Sequence, residues 1–134
     1  MTISFRVYGI PQTKGSAKAY MRKGMKYPVV TNDNVKNKWW AESVRAVAQL
    51  TRAAMRMSLE DKASVSLRLL FVMPKPKRLK AGSPMVKRPD LDKMTRSVKD
   101  SLEGVFYKND SQVNNAMLSK VYGDEPGVIV EVTI

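Results

Sequence analysis

Residues 87–105 read Lys87-Arg-Pro-Asp-Leu-Asp-Lys-Met-Thr-Arg-Ser-Val-Lys-Asp-Ser-Leu-Glu-Gly-Val105. At about 100° of rotation per residue, the apolar side chains fall on one side of a helix. They are Leu91, Met94, Val98, Leu102 and Val105. The opposite side is charged, with Asp92, Arg96, Lys99, Asp100 and Glu103. Gly104 is a typical residue at a helix end. The pattern therefore predicts an amphipathic helix that follows Asp90 and packs its apolar side on a sheet.

Apolar strands are predicted on both sides of this helix. The stretch 63–73 places Val65, Leu67, Leu69 and Phe71 on one face, with Leu70 and Val72 on the other near its end. Its later half is therefore predicted to be buried on both sides, as in a central strand covered by helices. Further strands are predicted at 3–8, 113–122 and 128–134, and a short hairpin between 17 and 30. A first helix is predicted from about Val35 to Met55, capped by Asn32 or Asp33. The order predicts an α/β (α+β) fold, a single domain over residues 1–134 with a mixed β-sheet packed with two main helices.

The first predicted helix has a wide apolar arc that includes Trp39, Trp40 and Leu50. The tryptophans could stack on nucleic-acid bases, but packing in the core or in a dimer interface is the preferred interpretation.

The chain contains neither histidine nor cysteine among its 134 residues. Zinc sites of the usual kind, Ser-His and Cys-His nucleophile pairs and histidine general bases are therefore excluded. Catalysis would have to use carboxylates, amines, hydroxyls or a metal bound through oxygen. No apolar run is long enough to cross a membrane, and the N-terminus lacks a signal-peptide pattern, so we expect a cytoplasmic protein without a membrane partner.

Positive charge is concentrated in the first two thirds of the chain. Residues 1–89 contain 19 Lys and Arg against 4 Asp and Glu, whereas residues 90–134 contain 5 against 8. A basic body with a local acidic pocket suits a protein that grips a polyanion and performs metal chemistry on it. The cations predicted to contact nucleic acid are Lys14, Lys18 and Arg22 near the hairpin, and Lys75, Lys77, Arg78, Lys80, Lys87 and Arg88 in the proline-rich loop before the second helix.

Two carboxylates, Asp90 and Asp92, lie one residue apart at the start of the second helix, and Asp110 follows in the next turn. Carboxylates that converge repel one another, and a bound cation relieves this repulsion. Oxygen ligands suit Mg²⁺, with Mn²⁺ able to substitute, and such a metal can activate a phosphate for hydrolysis. The alternative is purely structural: Asp90 caps the helix and Asp92 favours its dipole, each contributing about 1 kcal/mol.

Arg96 lies one turn after Asp92 and one turn before Asp100, so ion pairs with both are predicted. Functionally, its guanidinium can neutralise charge on a phosphate, but it stays protonated at neutral pH and cannot act as a general acid.

Three segments together resemble the signature of RusA-type Holliday junction resolvases, the crossover junction endodeoxyribonucleases. They are Pro89-Asp-Leu-Asp92, Asp100-Ser-Leu-Glu-Gly104-Val, and Tyr107-Lys-Asn-Asp-Ser-Gln-Val113. A weaker likeness is visible at Gly9-Ile-Pro11 and Lys14-Gly15. The resemblance implies a homodimeric, Mg²⁺-dependent endonuclease that cuts four-way DNA junctions in pairs, often encoded by phages or prophages. It identifies Asp90, Asp92 and Asp110 as the catalytic, metal-binding acids.

Three positions depart from the family pattern. Lys93 stands where the family usually has Asn, Arg96 where it has a catalytic lysine, and Asn109 where it has the first Asp of the turn. We interpret the chain as a junction resolvase of the cytoplasm of a bacterium or a phage-infected host. The alternatives are a non-catalytic protein that binds junctions or duplex DNA, and a nuclease that acts on flaps or other branched DNA.

Overall fold

The apolar strand predicted around Leu67 is an interior strand of a mixed four-stranded sheet. It spans Val65–Pro74 (β4) and lies between Gly127–Thr133 (β6), which is antiparallel to it, and Val113–Gly123 (β5), which is parallel. At the other edge, Thr2–Tyr8 (β1) pairs antiparallel with β6, so the order is β1-β6-β4-β5. The prediction of a mixed sheet in an α+β fold is confirmed.

The computed structural model describes residues 1–15, 17–21, 23–24, 26–27, 29–32 and 36–134, with backbone alone for the strand residues 17–20 and 29–32. Ala17–Tyr20 and Val29–Asn32 (β2 and β3) pair antiparallel, which confirms the predicted hairpin. Arg22, Asp33 and Val35 lie outside the described residues. So do the side chains of Lys18 and Asn32, and the predictions made for these five positions stay predictions.

Two helices, Lys36–Ala53 (α1) and Leu91–Leu102 (α2), pack on the same face of the sheet and form one hydrophobic core with it. The side chains predicted for the buried face of α2, Met94, Val98 and Leu102, have no exposed surface. They meet the alternate residues of β4, which are also buried: Val65, Leu67, Leu69 and Phe71. Burying side chains of this size stabilises the fold by about 1.5–3 kcal/mol each, and this core fixes α2 on the sheet.

The second face of β4 agrees with its prediction only in part. Val72 is buried there, but Leu70 is half-buried and Arg68 is exposed. The expectation of helices on both faces of this strand is wrong, because α1 and α2 both contribute to the core on the opposite face.

The helix α2 ends three residues earlier than its apolar pattern. Gly104 has a φ of 82°, a left-handed conformation that favours glycine, and it reverses the chain after Leu102. Val105 is buried as predicted, but it lies beyond the helix. Arg45 of α1 donates hydrogen bonds to the carbonyl oxygens of Ser101 and Glu103 at 3.2 and 2.9 Å, which satisfies groups that a helix end leaves unpaired.

The apolar arc of α1 is wider than the surface that it buries. Trp40, Val44 and Ala48 are buried, whereas Trp39 is 72% exposed and Leu50 is 74% exposed. Core packing is therefore confirmed for Trp40, whereas Trp39 does not belong to the core of the described residues and its packing in a dimer interface stays a prediction. The helix ends at Ala53, two residues before the predicted Met55.

Candidate active site

The loop that leads into α2 is held in place by a lysine of the sheet. Lys120 of β5 donates hydrogen bonds from Nζ to the carbonyl oxygens of Lys87 and Pro89, at 2.6 and 2.7 Å. The Arg88–Pro89 peptide bond is cis. Asp90 follows directly, so its position depends on a contact that the sheet supplies.

Asp90 occupies the N-cap position of α2, but its side chain accepts no capping hydrogen bond. The carboxylate lies 3.8 Å from Nζ of Lys93, and both side chains are about half exposed. An exposed pair of this kind contributes little to stability. Capping by the Asp90 carboxylate, the first half of the structural alternative, is therefore wrong, whereas Asp92 lies in the first turn of α2, as the second half predicted.

A cleft of about 390 Å³ lies along the polar side of α2. It is lined by Lys14, Asp92, Thr95, Arg96, Lys99, Asp100, Asp110 and Leu118. The structure thus brings Asp92 and Asp110 to one cleft, although 18 residues separate them in sequence. Asp90 does not belong to the lining and lies at the helix start, two residues before Asp92.

Three carboxylates of the site converge. Asp100, Glu103 and Asp110 each offer an oxygen within 4.8 Å of the other two. The hydroxyl of Tyr107 lies beside them and donates a 2.6 Å hydrogen bond to the carbonyl oxygen of Lys99. Burial raises the pKa of this phenol well above its ordinary value, and the negative charges of Asp110, Glu103 and Asp100 raise it further. The Tyr107 hydroxyl beside the acids therefore stays neutral at physiological pH.

Asp110 is positioned by a short turn rather than by a long element. It begins the 3-10 helix Asp110–Gln112, which Asn109 caps by accepting a 2.9 Å hydrogen bond from the Ser111 amide. Gln112 accepts from the amides of Lys108 and Asn109, and its Nε2 donates to the carbonyl oxygens of Glu60 and Ala63. Asn109 stands where the family pattern has Asp. This change leaves the cap of the turn intact, because Asn and Asp are equally good caps.

Arg96 lines the cleft with an exposed side chain. The predicted ion pairs with Asp92 and Asp100 are not formed within the described part of the chain. Asp100 instead forms an ion pair with Lys14. The Arg96 guanidinium is consequently available to a ligand in the cleft.

The cations predicted to bind DNA fall into different surroundings. Lys75 lies 3.7 Å from Asp124, and Lys14 lines the cleft. Exposed side chains in the loop before α2 are Lys77, Arg78, Lys80, Lys87 and Arg88. This loop is joined to β5 by backbone hydrogen bonds, from Gly82 to Tyr122 at 2.8 Å and from Tyr122 to Ser83 at 2.9 Å.

The sequence interpretation did not assign Asp100, Glu103 or Lys120 to the site. Asp100 had a usable signal, since it lies two turns after Asp92 on the same charged face. Glu103 is the last residue of the same charged face. It lies near Asp110 only because the chain turns back after α2. Lys120 had no signal, because its role depends on the parallel pairing of β5 with β4.

The donor set of the site fits a hard divalent cation. Carboxylate oxygens are the ligands that Mg²⁺ and Mn²⁺ prefer, and the chain offers neither imidazole nor thiolate. Asp92 and Asp110 share the cleft, and Asp100 and Glu103 place further oxygens near Asp110.

Within the described residues, neither helix combines the length and apolar content needed to cross a membrane.

Comparisons with known proteins point to one family. The family model described as "Endodeoxyribonuclease RusA" matches residues 10–133. An uncharacterized protein of Bacillus subtilis strain 168, YqaN, is 32% identical over 137 aligned residues, which cover 96% of this chain and 93% of YqaN. The family match includes the cleft, the turn at Asp110 and the whole of α2.

Proposed function

Because this chain belongs to the RusA endodeoxyribonuclease family, we propose that it is a metal-dependent nuclease that resolves four-way Holliday junctions by paired phosphodiester hydrolysis. The observation that carries the proposal is the meeting of Asp92 and Asp110 in one cleft of a chain with a net charge of +12. Residues 1–134 act as one endonuclease domain in this proposal. Its setting is the cytoplasm of a bacterium, with the protein encoded there or by a phage or prophage.

Asp92 and Asp110 hold the Mg²⁺ ion in this proposal, and Asp90 joins them from the helix start, with Mn²⁺ able to substitute. The Asp90 carboxylate makes no capping hydrogen bond, and its 3.8 Å pair with Lys93 is exposed, so it can still bind a metal, which supports its inclusion. A metal held there supplies Lewis-acid polarisation of the phosphate and makes a bound water more acidic.

Arg96 stabilises negative charge on the phosphate from the rim of the cleft. Its side chain is exposed and forms no ion pair with the acids of its own helix, which supports this role. The guanidinium stays charged, so it contributes electrostatically and does not deliver a proton. Further cations bind the DNA backbone and carry the salt-dependent part of the affinity: Lys18, Arg22, Lys75, Lys77, Arg78, Lys80, Lys87 and Arg88.

Paired cuts need two clefts on one junction, so the active form is a homodimer. Trp39 and Leu50, both exposed on α1, are candidate contacts between the protomers. The edge strand β5, whose residues 114–117 are exposed, is the other candidate. Light scattering at the assay concentration distinguishes a dimer from a monomer.

Cleavage of a labelled four-way junction tests the proposed function. We expect paired nicks in Mg²⁺ and none in EDTA. Asp90→Asn and Asp110→Asn each lower the rate by about 1,000-fold, equivalent to about 4 kcal/mol, because each removes a charged metal ligand. Glu60→Gln is the matched control, since this exposed acid lies outside the cleft.

Three outcomes would contradict the proposal in different ways. Equal junction binding with and without Mg²⁺ but intact DNA would identify a non-catalytic binding protein. Faster cleavage of flaps than of four-way junctions would keep the metal site and replace the substrate. Full activity of Asp90→Asn would remove that residue from the site.

A further inference from the structure

The cleft contains a cation from a distant part of the chain. Lys14 lies between β1 and β2, and its side chain lines the cleft together with Asp92 and Asp110. Its amide N–H donates a 3.3 Å hydrogen bond to the carbonyl oxygen of Lys93, in the first turn of α2. Its ammonium group forms an ion pair with Asp100, nearly two turns further along the helix. Lys14 is therefore attached to α2 at two separate points.

The ion pair leaves part of the ammonium group available. A lysine ammonium has three N–H donors, and the pair with Asp100 uses one of them. The side chains of Lys14 and Asp100 are 42% and 34% exposed, so the remaining donors are accessible from the cleft. An ion pair with this exposure contributes little to stability. Stabilisation of the fold by the pair is therefore a weak explanation for a lysine at position 14.

The charges of the cleft explain what a cation would do there. Asp92, Asp100 and Asp110 repel a phosphodiester that approaches them. A compact, strongly charged ammonium held among these acids offsets that repulsion at the point of contact. The exposed lysines of the loop before α2 do not line the cleft, so among the described residues they cannot substitute at this point.

We propose that Lys14 contacts the phosphate that is cut, and that Asp100 positions its ammonium group. The two free N–H groups donate to non-bridging oxygens, where negative charge increases in the transition state. This inference rests on the proposed nuclease function and deepens it. Lys14 thereby becomes a catalytic residue rather than one more backbone-binding cation, and Asp100 becomes a positioning residue.

The test separates rate from affinity. Single-turnover cleavage of a labelled four-way junction is measured at saturating protein in Mg²⁺, and junction affinity is measured in EDTA. We expect Lys14→Gln to lower the saturating rate by about 100-fold and to change the Kd by less than about threefold. Lys14→Arg keeps the charge and recovers part of the rate. Lys62→Gln, an exposed lysine outside the cleft, leaves both quantities unchanged.

The double variant Lys14→Gln/Asp100→Asn distinguishes catalysis from simple attachment of the loop. Two amides can hydrogen-bond to each other, so a purely structural pair would recover its rate in the double variant. We expect the double variant to stay as slow as Lys14→Gln, with the Tm of each variant reporting its folding. A recovered rate would overturn the proposal.

The remaining outcomes separate this inference from the proposed function. If the unmodified protein cuts junctions and Lys14→Gln cuts them equally fast at saturation, the inference is wrong and the nuclease function stands. A higher Kd with an unchanged saturating rate would make Lys14 an ordinary binding cation, which also overturns the inference. An unmodified protein that leaves junctions intact in Mg²⁺ would overturn both.

Discussion

The twelve residues of α2 form two faces, one buried and one exposed, that serve different purposes. Met94, Val98 and Leu102 are fully buried against the sheet. Asp92 and Arg96, interleaved with them, are exposed along the cleft. Removing an apolar side chain from the first face leaves a cavity, whereas changing a charge on the second leaves the packing intact. Stability and chemistry can therefore be altered separately in one helix.

The largest change in stability is expected on the buried face. Val98→Ala removes two methyl groups from a side chain without exposed surface, and we expect it to lower the free energy of unfolding by about 2–3 kcal/mol. Urea denaturation measures this loss. Val86→Ala is the matched control, because Val86 is 90% exposed and its truncation should change stability by less than about 0.5 kcal/mol.

The same variant tests whether the two faces are independent. At a temperature where Val98→Ala is folded, its cleavage rate should stay within about threefold of the unmodified rate, since the charges of the cleft are unchanged. A 100-fold loss of rate in the folded variant would show that the buried face controls the chemistry, and the separation would be wrong.

Periodicity predicts the buried face well and the site only in part. The spacing of Met94, Val98 and Leu102 alone identifies the packed side, because burial on a helix repeats with its turn. The association of Asp92 with Asp110 is predicted from the acids at the helix start and in the next turn, and the family resemblance points to the same residues, but their common cleft required the structure. Asp100 was visible as a charge, but its partner Lys14 lies 86 residues away in sequence. Contacts between distant segments have no local signal.

Asp110 lines the same cleft as Asp92 and Arg96 but belongs to neither face of α2. Gln112 accepts from two amides of its own turn, and it joins this turn to the segment before β4 by donating to the carbonyl oxygens of Glu60 and Ala63. We expect Gln112→Ala to lower the free energy of unfolding by about 1–2 kcal/mol, since it leaves the part-buried carbonyl of Ala63 unpaired and removes three exposed hydrogen bonds. The cleavage rate should fall by about tenfold as the turn loses its support.

Thermal denaturation and single-turnover cleavage measure these two effects of Gln112→Ala. Gln49→Ala, an exposed glutamine of α1, is the control and should affect neither measurement. An unchanged rate together with the expected loss of stability would mean that Asp110 keeps its place without Gln112. The turn would then support the fold and have no part in positioning the acid.

Tyr107 joins the two faces, because its ring is buried and its hydroxyl lies beside the acids. Its pKa is raised above the ordinary value of 10.0 by burial and by Asp110, Glu103 and Asp100. The folded protein therefore keeps the phenol neutral while the unfolded chain begins to lose that proton near pH 10. The stabilisation that depends on the neutral phenol is fully present below pH 10 and decreases as the pH rises further.

Tyr107→Phe measures this contribution by difference. Below pH 10 the variant should be less stable by about 1 kcal/mol, the net value of the lost hydrogen bond to Lys99. Above pH 10 the unmodified protein should lose stability faster than Tyr107→Phe, by up to about 1.4 kcal/mol per pH unit, so the difference shrinks or reverses. Urea denaturation from pH 8 to 11 provides the measurement, with the exposed Tyr27→Phe as control. If the difference in the free energy of unfolding between the two proteins stays constant over this range, burial and the acids do not hold the phenol neutral. The buried face of the molecule would then be electrostatically separate from the cleft.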